Sequence, residues 1–379
     1  MALHLVSLPW TETTKRWEPE AFTARTRVLA TMMAQYGAVY LYAGEENEAR
    51  VTEHVPIVNR RWQARHFPGF TPNDVFTDYD PMNASWIEFA VHAADAIRER
   101  STPGDILGIT MGSAQQLIVN LTKDLGLRVV EVGVGYKGII DAHRVYESRA
   151  WQMFHAGLVT GQSGNDIDGD VRNFDTVIPR GYEIEDFPAG AGRGGYFLFL
   201  GRVVARKGPQ VAAQVCQRIG AKLIVAGQKV ASAEPGRITA DDGSWIDGDV
   251  EYAGVVGPEE RAQLLGGAIA IFVPTLYFEP FGGVHAEALL CGTPVISTPW
   301  GAFEEYIDDG VNGYKCSTLA EFVDATRKVE GLDRAAIRAA AIARYGTATV
   351  GRQYNDYFNR LATLRREGWY ELPPQRIAA

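Results

Sequence analysis

Two acids with seven residues between them, in Glu279-Pro-Phe-Gly-Gly-Val-His-Ala-Glu287, bracket a pair of adjacent glycines. An apolar strand is expected just before them, at residues 270–274, and a helical pattern opens at Val284. The first turn of a helix leaves its amide N–H groups unpaired and carries about half a positive charge, so Phe281, Gly282, Gly283 and Val284 suit a diphosphate or sugar oxygens. Glu279 and Glu287 are placed to accept hydrogen bonds from hydroxyl groups at the two ends of one ligand. A capping carboxylate followed by a surface helix residue would spell the same letters.

A second cluster, Gly201-Arg202-Val-Val-Ala-Arg206-Lys207-Gly208, follows the apolar run at residues 196–200. Arg202 offers a planar two-pronged donor and Lys207 a point charge. Both are suited to a pyrophosphate leaving group, because they stabilise negative charge as a bond to phosphate breaks. Arg206 is equally well explained as part of a solvated turn.

These residues need a scaffold that brings strand ends together. Residues 3–8, 38–43, 105–109 and 128–132 read as buried strands, separated by helical periodicity at 20–35, 95–100 and 114–125. A glycine-rich passage at 187–195 precedes a second alternation, with strands at 196–200, 222–226, 250–253, 270–274 and 294–298 and helices at 210–219, 258–265 and 284–290. Helices at 319–329, 334–344 and 350–366 complete the chain. The expected class is α/β, with two Rossmann-like, doubly wound parallel sheets that bind ligands at the carboxyl ends of their strands and face a central cleft. The boundaries expected are 1–186 for an acceptor-side domain, 187–350 for a donor domain, and 351–379 for a terminal helix crossing back to the first. A chain of 379 residues exceeds what one core of roughly 250–300 residues supports, which also favours two domains.

The net charge is -9, and residues 1–186 carry -8 of it. An acidic first half repels polyanions and counts against DNA or an anionic membrane; Arg60, Arg61 and Arg65 are its one basic cluster, and a solvated basic loop accounts for them. The three cysteines, Cys216, Cys291 and Cys316, show no CxxC spacing, so neither a disulfide framework nor a zinc site is signalled and a cytoplasmic setting is expected. No basic leader or long apolar run marks a signal peptide or a membrane span.

In order along the chain, VIPRGYEIEDF, GRVVARKG, the acidic pair and CGTPVISTPWGAFEEYIDDGVNGY resemble the donor domain of GT4-like retaining glycosyltransferases with the GT-B fold. The resemblance covers roughly residues 176–329. It implies that Arg202 and Lys207 contact the diphosphate, Glu279 the donor sugar hydroxyls, and Glu287 the nucleotide ribose. Phe281, Gly282 and Gly283 would hold sugar and phosphate through their amides, with Gly201 and Val284 beside them. It further implies a nucleotide-diphosphate sugar as donor, no metal and no further cofactor, no protein nucleophile, and a leaving phosphate oxygen that helps deprotonate the acceptor on the same face.

The first half departs from that family. The loop after its first strand, Pro9-Trp-Thr-Glu-Thr13-Thr14-Lys15, lacks a glycine pair, and Thr13, Thr14 and Lys15 would supply donors there unless they form a surface turn. No histidine stands where members often have one; Glu131, Tyr136, His143 and Arg144 are the acceptor-side candidates. The segment from Arg144 to Trp151 mixes rings with charges, as a sugar or base site would, or as a partly buried amphipathic helix would. Gly133-x-Gly135-x-x-Gly138 matches a dinucleotide fingerprint but sits in mid-domain and lacks its acidic partner. Asp166-x-Asp168, Asp168-x-Asp170 and Asp247-x-Asp249 read as turn residues and not as metal-binding pairs. The function expected is retaining transfer of a hexose or pentose to an unidentified acceptor hydroxyl on a small molecule or glycan. Alternatives are the same chemistry on a modified base in DNA and a non-catalytic nucleotide-sugar binding protein.

Overall fold

The structure, a computed structural model, describes residues 1–74, 80–162 and 174–363. In the first half, strands β1 (Leu3–Val6), β2 (Val39–Ala43), β3 (Glu53–Pro56), β4 (Ile106–Ile109), β5 (Arg128–Val134), β6 (His143–Tyr146) and β7 (Thr176–Val177) form one sheet in the order β3-β2-β1-β4-β5-β6-β7. Every neighbouring pair in it is parallel. Its helices are α1 (Ala21–Met33), α2 (Arg60–His66), α3 (Ala84–Arg100), α4 (Gln116–Leu121) and α5 (Arg149–Gln162). Strands such as Leu-His-Leu-Val at β1 are buried throughout, because helices cover both faces of the sheet. Glu20 sets the start of α1: its carboxylate accepts from the amide of Thr23 at 2.6 Å.

The second half repeats the plan. Strands β8 (Tyr196–Leu200) and β9 (Lys222–Ala226) are followed by a small antiparallel sheet of β10 (Val230–Glu234), β11 (Arg237–Ala240) and β12 (Trp245–Asp247). Then come β13 (Val250–Gly254), β14 (Ile271–Val273), β15 (Val295–Ser297) and β16 (Gly313–Lys315). The main sheet runs β13-β9-β8-β14-β15-β16, again parallel throughout. Helices α6 (Pro209–Ile219), α7 (Pro258–Gly267), α8 (Val284–Leu290), α9 (Phe303–Tyr306), α10 (Leu319–Lys328) and α11 (Arg334–Tyr345) belong to it. Gly208 and Gly220, both with left-handed backbone, bound α6, and Pro209 stands at its first position.

The last described helix, α12 (Thr347–Ala362), leaves this half and buries Val350, Tyr354, Tyr357, Phe358 and Leu361 in one core with Leu3, Leu29, Met32 and Val132. The segment it leaves, Tyr345–Thr347, runs beside the linker between the halves. Tyr182 donates its amide to the carbonyl of Tyr345 at 2.8 Å, and Thr347 donates to the carbonyl of Tyr182 at 3.2 Å.

Several elements differ from the sequence expectation. The helix expected at 114–125 is a six-residue α-helix between two 3-10 turns. The segment from Arg144 to Trp151 is neither one helix nor one patch: Arg144 to Tyr146 lie in β6, and α5 starts at Arg149. The fingerprint glycines do not open a helix either. Gly133 lies within β5 with φ of 67°, and the next regular element is a strand, so no helix end is there for a pyrophosphate. Residues 166, 168 and 170 fall outside the described residues. Asp247 ends β12 beside Arg237, 3.7 Å away, and among the described residues no acidic, histidine or cysteine cluster is arranged to hold a metal ion. No described helix is long and apolar enough to cross a membrane.

Candidate functional site

A cavity of about 750 Å³ lies where the carboxyl ends of the two sheets meet, walled by residues following β5, β8, β9 and β14 and by the linker. Its side chains include seven cations, Arg25, Lys137, Arg180, Arg202, Arg206, Lys207 and Arg261, against two acids, Glu147 and Glu279. In a chain of net charge -9, that concentration of positive charge suits a strongly anionic ligand.

The second half supplies the wall with the acid Glu279. Gly208 has φ of 74°, and a Cβ on it would stand 2.0 Å from the carbonyl oxygen of Pro274. Only glycine lets the loop after β8 close onto the end of β14. That contact delivers Lys207 to Glu279, whose carboxylate it meets at 2.7 Å; Tyr277 donates to the other oxygen at 2.8 Å. Glu279 is 5% exposed. Burial opposes the charge on Lys207, but Glu279 and Tyr277 outweigh it and leave its pKa raised, so Lys207 keeps its charge. Tyr277 also presents its ring to both Lys207 and Arg206, at 5.0 and 5.3 Å.

The glycine turn follows at once. Gly282 has φ of 72°, and a Cβ there would come within 2.6 Å of the Phe303 ring. Phe281, Gly282, Gly283 and Val284 all line the cavity, as do Gly201 and Arg202. Gly201 has φ of 152° and open space where a side chain would start. Glu287 stands apart: it does not line this cavity but a small recess beside it, shared with Lys15. Its carboxylate is held by Arg261 Nε at 2.6 Å, and Arg261 reaches both spaces. Arg261 carried no sequence signal, since it stands alone in an otherwise ordinary helix, α7.

On the first-half wall, Tyr136 lines the cavity and donates to Glu131 at 2.8 Å. Glu131 itself is fully buried in β5, held also by the Ile140 amide at 2.8 Å and by Arg144 at 3.4 Å. Arg144 turns to Asp175 and the Ile140 carbonyl, and neither it nor His143 reaches the cavity. Burial lowers the pKa of His143. Thr13 is fully buried, its hydroxyl 2.9 Å from Asn47 Oδ1, and Thr14 is 7% exposed; both belong to a loop clamped onto the chain after β2. Lys15 bridges to Asp186 at 2.6 Å. The structure therefore gathers Glu279, Lys207, Arg202, Gly201, the glycine turn and Tyr136 around one space. Thr13, Thr14, Lys15, Glu131, His143, Arg144 and Glu287 lie outside it. Arg60, Arg61 and Arg65 sit on α2 away from the cavity, Arg60 ion-paired with Glu46.

Burial pushes the Glu131 carboxyl up to about 7, its hydrogen bonds and Arg144 only partly offsetting that. Between its ordinary 4.5 and about 7 the folded chain holds a proton that the unfolded chain releases, so this group's contribution to stability falls as pH rises through that window. Glu131→Gln is expected to gain in melting temperature relative to the unsubstituted chain between about pH 5 and about pH 8, measured by thermal unfolding at both.

Arg25, Lys137 and Arg180 of this wall were not proposed from the sequence as site residues, and Glu147 entered only within the segment from Arg144 to Trp151. Arg25 donates to the carbonyls of Gly133 and Thr110 and lies 3.7 Å from Glu147. Glu147 and Arg180 are 7% and 9% exposed. The seam between the halves runs past them: Tyr306 donates to the Glu147 carbonyl at 2.5 Å, and Ser148 donates to the Pro280 carbonyl at 2.5 Å, next to Glu279. Trp151 and Phe154 of α5 stack on Phe278, whose ring lies 6.3 and 5.6 Å away.

Comparison with known proteins agrees with this geometry. The family described as glycosyl transferases group 1 matches residues 194–330. D-inositol 3-phosphate glycosyltransferases of Mycobacterium tuberculosis and Mycobacterium bovis are 29% identical over 188 residues, 47% of this chain and 38% of theirs, so the likeness spans well under half of those relatives. Among solved structures, AviGT4, a glycosyltransferase involved in avilamycin A biosynthesis, superposes with a TM-score of 0.66 at 20% identity, over 96% of this chain and 98% of its own. Anabaena Alr3699/HepE in complex with UDP and glucose gives 0.61 at 16% identity, over 95% of this chain and all of its own. Residues 194–330 therefore match the family of glycosyl transferases group 1, within a fold that matches GT-B glycosyltransferase structures.

Proposed function

We propose that the chain transfers a sugar from a nucleoside diphosphate sugar to an acceptor hydroxyl, with retention and without a metal ion. The observation that carries the reading is the buried Glu279–Lys207 pair beside the Gly282–Gly283 turn, in a cavity with seven cations and two acids. In this reading Lys207 and Arg202 stabilise the departing diphosphate and the glycine turn seats it. Glu279 accepts hydrogen bonds from the sugar. The bond from the anomeric carbon to phosphate breaks, a bond to the acceptor oxygen forms on the same face, and the acceptor proton passes to a phosphate oxygen. Preorganised charge aimed at the leaving group is the largest contribution expected from the protein.

Residues 1–186 are assigned to the acceptor, 187–350 to the donor, and the returning helix joins them. Three buried, unpaired cysteines suit a reducing cytoplasm. The Anabaena neighbour's UDP and glucose make UDP-sugars the first donors to try.

Titration with UDP, GDP and ADP, followed by hydrolysis assays on the corresponding sugars, tests the reading. Binding of one nucleoside diphosphate and slow release of sugar from its conjugate are expected. A chain that binds none of the three is not a transferase of this kind.

A further inference from the structure

The linker between the halves carries a cation that the reaction above does not use. Arg180 is 9% exposed and lines the cavity. Its Nη2 donates to Glu18 at a long 3.4 Å, and its Nε, although buried, meets no partner. A guanidinium has five N–H donors, and a buried one is ordinarily satisfied on most of them, so this one is under-used.

Its position says what would use it. The guanidinium lies over the ring of Tyr182, 5.0 Å from the centroid, and Tyr182 donates its hydroxyl to the carbonyl of Gly283 at 3.2 Å. Arg180 Nη1 stands 3.6 Å from where a Cβ on Gly283 would be. A buried ring thus holds the cation to the glycine turn. Lys207, by contrast, is already committed to Glu279 at 2.7 Å. A nucleoside diphosphate gains a further negative charge when the bond to the sugar breaks, and a planar fork is the side chain best shaped to meet phosphate oxygens.

We propose that Arg180 is a further ligand of the donor's diphosphate, contacting the phosphate seated at Gly282–Gly283 and taking up charge on the departing nucleoside diphosphate. The assignment rests on the donor reading given above.

Calorimetric titration of UMP and UDP into the full chain and its Arg180→Gln, Arg180→Lys and Glu18→Gln variants tests it, with the guanosine or adenosine series substituted where the unsubstituted chain prefers it. Losing a charge-assisted contact at the outer phosphate is expected to weaken UDP roughly 10- to 100-fold in Arg180→Gln while UMP is little changed. Arg180→Lys recovers part of the loss, and Glu18→Gln, which removes the carboxylate's ion pairs with Arg180 and Arg27 but no cation of the cavity, leaves UDP affinity as it was. UDP binding equally well to Arg180→Gln and to the unsubstituted chain overturns the assignment and leaves the donor reading standing. So does an equal loss for UMP and UDP accompanied by a lower melting temperature, which marks Arg180 as purely structural. An unsubstituted chain that binds none of UDP, GDP or ADP overturns both.

Discussion

Glutamine in place of Glu279 is expected to slow sugar transfer on the order of 100- to 1000-fold, since it removes a fixed carboxylate from the sugar's hydroxyl groups and unseats Lys207 at the same stroke. The two effects have separate signatures. Lys207 is 20% exposed at its side chain and meets Glu279 at 2.7 Å, so losing its partner leaves a mostly buried ammonium unpaired. Breaking such a pair costs about 3–5 kcal/mol when burial is complete, and this site should lie below that range because Lys207 keeps some contact with solvent. Thermal unfolding reads the second effect, and single-turnover transfer reads the first. A variant that turns over at the unsubstituted rate removes Glu279 from the reaction and with it the assignment of the whole donor wall.

Valine at Gly282 should be the most damaging single change in the glycine turn. Its φ of 72° is left-handed, and a Cβ would stand 2.6 Å from the ring of Phe303, which is fully buried and has nowhere to go. The backbone alone costs about 1–2 kcal/mol for a non-glycine residue there, and forcing a side chain into a filled core adds about 1–3 kcal/mol. Loss of nucleoside diphosphate binding together with a clear drop in melting temperature is expected. Gly201→Ala is the comparison. Its φ of 152° also disfavours a side chain, but no atom lies within 4 Å of the new Cβ, so it should lose only the backbone cost and none of the overpacking cost. Equal damage from both would mean that the Phe303 contact does not matter.

The second half was easy to read because its motifs obey fixed spacing around strand ends. Helix α8 runs from Val284 to Leu290, the bounds expected from the sequence, and β8 and β9 also fall at the expected residues. Glu279, the cations and the glycines converge because each follows a strand of one sheet. The first half was less legible for physical reasons. Strand β6 is only His143–Tyr146, with a histidine and an arginine among its four residues, so nothing in its periodicity announces a strand. The threonines after β1 look like free donors in the sequence, yet their loop folds back on the chain after β2 and buries them, a contact between residues more than thirty apart. Arg25, Glu147 and Arg180 belong to three separate segments, and only folding makes them neighbours of one space. The three-stranded sheet after β9 escaped notice because β10 is mostly exposed and has no apolar alternation.

The chain passes between its halves twice, and the two passages are stitched together at Tyr182 and Thr347. Two passages bonded side by side act as a single axle that holds the lobes in line. Cutting the chain before Thr347 would therefore do more than shorten a tail. It would strip Tyr354, Tyr357 and Phe358 from the far lobe's interior and split the axle to half its width, so neither lobe is a spare part that can be made alone without loss.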